Sequence, residues 1–185
     1  MTRVPELKFA EMNEQQQKLA TEIGAIRGGS PATGGPWGLL LRNPDLCDRA
    51  QRFGTMLRDH TSVPKRLSEL AIALSARHWT AQFEWNAHAH QGVKAGIDPE
   101  VIEAIRHRKR PQKMKKDEAA VYDFITELYE DKRVSDKTYQ TLVSEIGVNA
   151  AIEITAIGGF YSTVAMLIVA HEVPLPAGVS PPLPE

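Results

Sequence analysis

The chain of 185 residues holds one cysteine, Cys47, which excludes an intramolecular disulfide and any Cys-x-x-Cys redox or zinc centre within one copy. Net charge is nearly missing as well. Its 22 basic and 23 acidic residues leave −1, so no global field exists to hold nucleic acid or an anionic membrane. Phosphate-cradling loops, dinucleotide-binding glycine fingerprints and a serine nucleophile elbow have no match in the sequence, and nucleotide chemistry is not expected. The longest uninterrupted apolar stretch, Val164 to Ala170, is short for a bilayer span, and Met1 to Glu11 has no apolar signal core. These absences predict a soluble, cytoplasmic protein whose partner is a small molecule or a sister subunit, with no nucleic acid and no membrane.

Alternating strand patterns and Asn-Gly hairpin signals are also missing, while helical periodicity recurs throughout. The sequence reads as all-α, one helical bundle of about seven helices spanning 1–185, since no shift in composition divides it. A polar first helix over Leu7 to Arg27 is followed by the loop Gly28 to Pro36 and a segment, Trp37 to Leu41, that packs it down. Pro44 and Pro64 each open a helix, and Leu67 to Ala76 is apolar on nearly every side, which makes that helix central. Glu69 is the one charge it carries inward, and a buried carboxylate needs a partner. Helices follow at about Thr80 to Ala95, Asp98 to Arg106, Asp117 to Asp131, Asp136 to Ile146 and Val148 to His171. The core is expected over about 37–173, and the tail from Val173 to Glu185, with five prolines, is expected to lie extended over the surface or a neighbouring subunit.

Against that background the informative residues are Glu84, Trp85 and His88. A carboxylate and an imidazole four positions apart stand one above the other on a helix, and the same face carries the small residues Ala81, Gly92 and Ala95 rather than a solvated charged stripe. With Glu69 from the preceding helix, two carboxylates and an imidazole meet the requirements of general acid and base catalysis. A structural ion pair would give the same spacing. Glu84, His88 and His90 also offer three metal-ligand types, but His88 and His90 lie about 200° apart around a helix, so no metal site and no cofactor is expected. Arg77, Trp79 and Trp85 flank the junction of the two central helices, where they could wall a substrate pocket or simply pack, and His78 and Tyr161 are open candidates. The basic run His107 to Lys116 lacks interleaved aromatics and reads as a solvated connector.

At these residues the chain resembles the carboxymuconolactone decarboxylase family, which includes the alkylhydroperoxidase D type enzymes. The resemblance runs through Trp37-Gly-Leu-Leu-Leu-Arg-Asn-Pro44, Pro64-x-Arg-Leu-x-Glu69-Leu-Ala-Ile72, Glu84-Trp-x-x-His88, Ala95-Gly-Ile97, Gly158-x-Phe-Tyr161 and Val173-Pro-Leu-Pro176. It implies an alkylhydroperoxidase D-like fold, a trimer or hexamer, and a proton relay in which Glu69 and His88 match the family's glutamate and histidine. The cysteine pair of the peroxidase branch falls on Ala81 and Glu84, so thiol peroxidase activity is not expected. The decarboxylase branch implies instead that His88 acts as the acid or proton shuttle, Glu84 sets its tautomer and charge, and Glu69 is the second carboxylate. Arg77, Trp79, Trp85 and His90 are the expected substrate-binding residues. The rivals to a cofactor-free lyase are a non-catalytic oligomeric scaffold of this fold and, more weakly, an antioxidant protein or Cys47-dependent peroxide sensor without the thiol pair.

Overall fold

The computed structural model describes residues 2–184. Among them the chain forms eight α-helices and one 3-10 turn and contains no strand. The turn Phe9–Glu11 precedes α1 (Glu14–Arg27), α2 (Gly35–Leu40), α3 (Pro44–Asp59), α4 (Lys65–His78), α5 (Gln82–Lys94), α6 (Pro99–Arg106), α7 (Lys116–Asp131) and α8 (Asp136–Ala170). Several boundaries follow directly from capping chemistry. Asn43, Asp98 and Ser135 each accept a backbone N–H from the first turn of the helix they precede, and Pro44 and Pro99 occupy first-turn positions where no donor is required.

Two boundaries differ from the sequence expectation. The first helix starts at Glu14 rather than Leu7, because Asn13 and Gln16 form a reciprocal capping box that fixes its beginning, and the residues before it turn separately. Trp37 to Leu40, expected only to pack the preceding loop down, lie in the short helix α2 with Leu41 as its C-cap, while the two helices expected over 136–146 and 148–171 run on as the single element α8.

Helix α4 is the centre of the molecule, with every residue from Leu67 to Arg77 buried and α5, α7 and α8 packed around it. Against it α8 buries Leu142, Ala150, Ile154 and Ile157, and α7 buries Val121, Phe124 and Ile125. By length and composition α8 is apolar enough to cross a membrane, although its longest unbroken apolar run is short. Gly147 divides it: φ +81° and ψ 162° are non-helical, so residues 136–146 and 148–170 are separate rods, as the break between Ile146 and Val148 in the sequence suggests. That backbone region is open almost only to glycine. No neighbouring atom would touch a Cβ there, so Gly147→Ala is expected to cost about 1–3 kcal/mol through backbone strain alone, read by urea unfolding.

The proline-rich tail folds back onto its own chain. Leu183 enters the main core, the Gln82 side chain brackets its backbone by donating to Leu183 O (3.0 Å) and accepting from Leu183 N (2.8 Å), and Arg106 Nε donates to Pro182 O at 2.6 Å. The tail is thereby tied to the start of α5, the helix that carries Glu84 and His88.

Candidate active site

Three helices converge on one small space. α4 supplies Glu69, α5 supplies Glu84 and His88, and α8 supplies Tyr161. Lys65 and Glu69 are one turn apart on α4, and Lys65 Nζ lies 2.9 Å from Glu69 Oε1. The second carboxylate oxygen, Oε2, lies 2.9 Å from His88 Nδ1. The result is a chain of contacts, Lys65 to Glu69 to His88, which leaves Nε2 as the ring nitrogen for other partners. The Tyr161 ring meets the imidazole edge-on at a centroid distance of 5.2 Å.

Burial acts on the two carboxyl groups in opposite ways. For Glu69 it raises the pKa, but the hydrogen bonds and charges of His88 and Lys65 outweigh it and hold the group below the usual glutamate value, so Glu69 is an anion. Glu84 has no such support. Both its carboxyl oxygens are buried without a hydrogen-bond partner, and desolvation alone lifts its pKa well above the usual value. Burial without a partner therefore favours the protonated form of Glu84, which has an O–H to donate.

This arrangement corrects the expected pairing. No hydrogen bond or ion pair joins Glu84 to His88, although they stand one turn apart; Glu69 holds the imidazole from the facing helix. The i,i+4 spacing brought both groups to one face but did not decide which carboxyl the ring would choose. His88 itself, and then Lys65, hold Glu69 ionised and make it the acceptor the imidazole meets, whereas Glu84 has no cation or donor beside it.

Glu84 and His88 line a pocket of about 140 Å³ whose other walls include Arg27, Trp37, Phe83, Phe160 and Tyr161. The expected substrate-binding residues lie elsewhere. Trp85 is packed in the main core, and His90 is solvent-exposed on the outer face of α5. Trp79 stacks edge-on against His78 at the end of α4. Arg77 is buried, but its guanidinium donates to Arg106 O (2.8 Å) and Thr80 Oγ1 (2.9 Å); with His78 it lines a separate crevice that shares no residue with the pocket. Tyr161, an open candidate, does enter the site. Arg27 and Trp37 were missed because α1 and the Gly34-Gly35-Pro36 turn reach the pocket over some fifty residues of sequence, a distance no local period reports.

Cys47 sits in a different cluster, fully buried with Leu19, Ile23, Leu40 and Leu41. Burial, and then the charge of Asp48, push its thiol up to about 11, so almost no thiolate exists at neutral pH. Protein treated with hydrogen peroxide is expected to retain a reduced Cys47, as peptide mass spectrometry would report; sulfenate at that residue would contradict this.

No family model matches the sequence, and no curated protein matches it. Solved structures do. An uncharacterized peroxidase-related protein from Ralstonia eutropha JMP134, described as an alkylhydroperoxidase AhpD core, superposes with a TM-score of 0.76 at 15% identity, covering 95% of this chain and 93% of that one. A peroxidase-related protein from Silicibacter sp. TM1040 matches with a TM-score of 0.76 at 15% identity, over 95% and 92% of the two chains. The chain has the alkylhydroperoxidase D-like fold. A cysteine-to-alanine variant of the debrominase Bmp8, solved in complex with 2,3,4-tribromopyrrole, shares the fold with a TM-score of 0.75 at 16% identity, over 96% and 93%. Within this alkylhydroperoxidase D-like frame, α4 and α5 present Glu69 and His88 to each other.

Proposed function

We propose that the protein is a cofactor-free, lyase-like enzyme that uses general acid/base catalysis on a small unsaturated acid or lactone, with decarboxylation as the reaction. The observation that carries this reading is Glu84: a carboxyl group buried without any partner, facing a pocket beside an imidazole already held by a second carboxylate. A core built only for stability gains nothing from such a group, whose burial without a hydrogen bond costs about 1–3 kcal/mol on mutational scales. The scaffold reading leaves it unexplained. The debrominase complex adds that a similar fold accommodates a small planar ring.

In this mechanism the substrate's C–C bond to the departing carboxylate breaks, carbon dioxide leaves, and the electron pair passes into the conjugated system as a dienolate. Glu84 then delivers its proton to carbon. His88, oriented through Nδ1 by Glu69 and not hydrogen-bonded to Glu84, uses Nε2 to relay a solvent proton to it through water in the pocket. Activity therefore needs Glu84 protonated and Glu69 ionised. It falls on the alkaline side as pH rises through the elevated pKa of Glu84, and on the acid side as pH drops through the depressed pKa of Glu69.

The test is carbon dioxide release across a panel of unsaturated lactone acids. Wild-type turnover that drops ~10²-fold or more in His88→Ala supports the reading; turnover unchanged in that variant rejects it. We further propose a homo-oligomer, supported by the exposed apolar side chains Val148, Ile152, Phe53 and Met56, with sedimentation velocity as the check.

A further inference from the structure

We propose that Arg27, seated on Trp37, anchors a carboxylate of the substrate in the Glu84–His88 pocket, so that the site selects small planar acids carrying an anion that survives the reaction. The inference rests on the reading of that pocket as a substrate site and adds the residue that chooses what enters.

Arg27 is the last residue of α1, and a cation at a helix C-terminus needs no special explanation. Its side chain, however, does not extend into solvent. The guanidinium carbon lies 4.4 Å from the centroid of the Trp37 ring, and Arg27 lines the same pocket as Glu84 and His88. Burial, together with repulsion from Arg58, lowers its pKa to about 10. The two guanidiniums are treated differently: Arg58 is paired with Asp59 at 2.9 Å, while no carboxylate lies within ion-pair distance of Arg27 among the described residues.

A half-buried cation beside a second cation, without an anion of its own, favours any anion that reaches it. The protein supplies none within the pocket, since Glu84 is held neutral. Stacking on tryptophan leaves the N–H edge of the guanidinium free, and that edge fits a carboxylate with two parallel hydrogen bonds. Phe83, Phe160 and Tyr161 supply aromatic walls suited to a flat body between the anchor and the acid. The anchored carboxylate is not the one lost. A guanidinium on the departing group would stabilise the starting state more than the transition state, and so slow its loss.

Benzoate and its uncharged isostere benzamide serve as probes in calorimetric titrations of the intact protein. Wild type is expected to bind benzoate saturably and benzamide ~10-fold more weakly or worse, a difference that needs no variant. Arg27→Gln is expected to weaken benzoate ~10-fold or more and leave benzamide unchanged, with Arg27→Lys between, because a point charge keeps the attraction without the fork. Equal affinity for the two probes in wild type, no saturable benzoate binding, or wild-type benzoate affinity in Arg27→Gln overturns the anchor. Loss of the acid/base reading looks different: benzoate binding that depends on Arg27, with no turnover of any unsaturated acid, removes the chemistry and keeps the anchor.

Discussion

Glu84→Gln is expected to reduce turnover by ~10²–10⁴-fold while the protein stays folded and the pocket keeps its shape. The amide is nearly isosteric with the protonated carboxyl, and neither finds a hydrogen-bond partner at this position, so the substitution removes the donated proton with little else. The same variant carries a stability signature. A carboxyl whose folded pKa is raised above the unfolded value of 4.5 contributes stability that is fully present below 4.5 and is lost as pH climbs through the folded pKa. In the unfolded chain Glu84 releases its proton above pH 4.5, whereas in the fold it must keep it or become a buried unpaired anion. Wild type should therefore lose thermal stability from about that pH upward by an increment that Glu84→Gln lacks. Melting curves of the two proteins across pH would report it directly, and parallel curves would contradict the assignment of Glu84 as the buried acid.

Glu69→Gln is expected to damage both stability and rate, for a reason that lies in counting acceptors. The carboxylate offers one oxygen to Lys65 Nζ and the other to His88 Nδ1, each at 2.9 Å. A glutamine has one oxygen and one NH2 group, so either the ammonium or the imidazole N–H faces a donor. If the amide nitrogen faces the ring, Nδ1 must become the acceptor and the proton moves to Nε2, the wrong tautomer for relaying protons to the pocket. We expect ~10²-fold lower activity. The stability loss should be about 1.5–3 kcal/mol, the range for a buried hydrogen bond to a charged group, with most of it from the His88 side, since the Lys65 side chain is 47% exposed and its ion pair is screened. The pH dependence has the opposite sign to that of Glu84: a depressed pKa contributes stability present above 4.5 and lost as pH falls through the folded value. Wild-type stability, read by urea unfolding monitored by circular dichroism across pH, should thus fall with acid below pH 4.5 by an increment that is absent from Glu69→Gln, so that the two proteins converge in stability at low pH.

Much of the fold was legible because its signals are local. Prolines 44, 64 and 99, the caps at Asn43, Asp98 and Ser135, and the all-round apolar character of Leu67 to Ala76 each act within a turn or two of their own position. Gly147 was legible as a break for the same reason. The site was legible only as far as helix faces extend: periodicity brought Glu69, Glu84 and His88 toward one another, but which carboxyl meets the imidazole depends on contacts between α4 and α5 and on the Lys65 charge, neither of which is periodic. Arg77, Trp79 and Trp85 illustrate the limit. They lie near Glu84 and His88 in sequence, yet Trp85 turns into the core, Arg77 lines another crevice and Trp79 stays part-exposed against His78, while Arg27 and Trp37 enter from the far end of the chain.

The most direct measurement is the protonation state of Glu84 itself, read by infrared difference spectroscopy or by NMR of carboxyl-labelled glutamate at neutral pH. We expect one protonated glutamic acid that disappears in Glu84→Gln and persists in Glu69→Gln. A spectrum in which every glutamate is ionised at neutral pH would contradict the proposed acid, and the mechanism built on it.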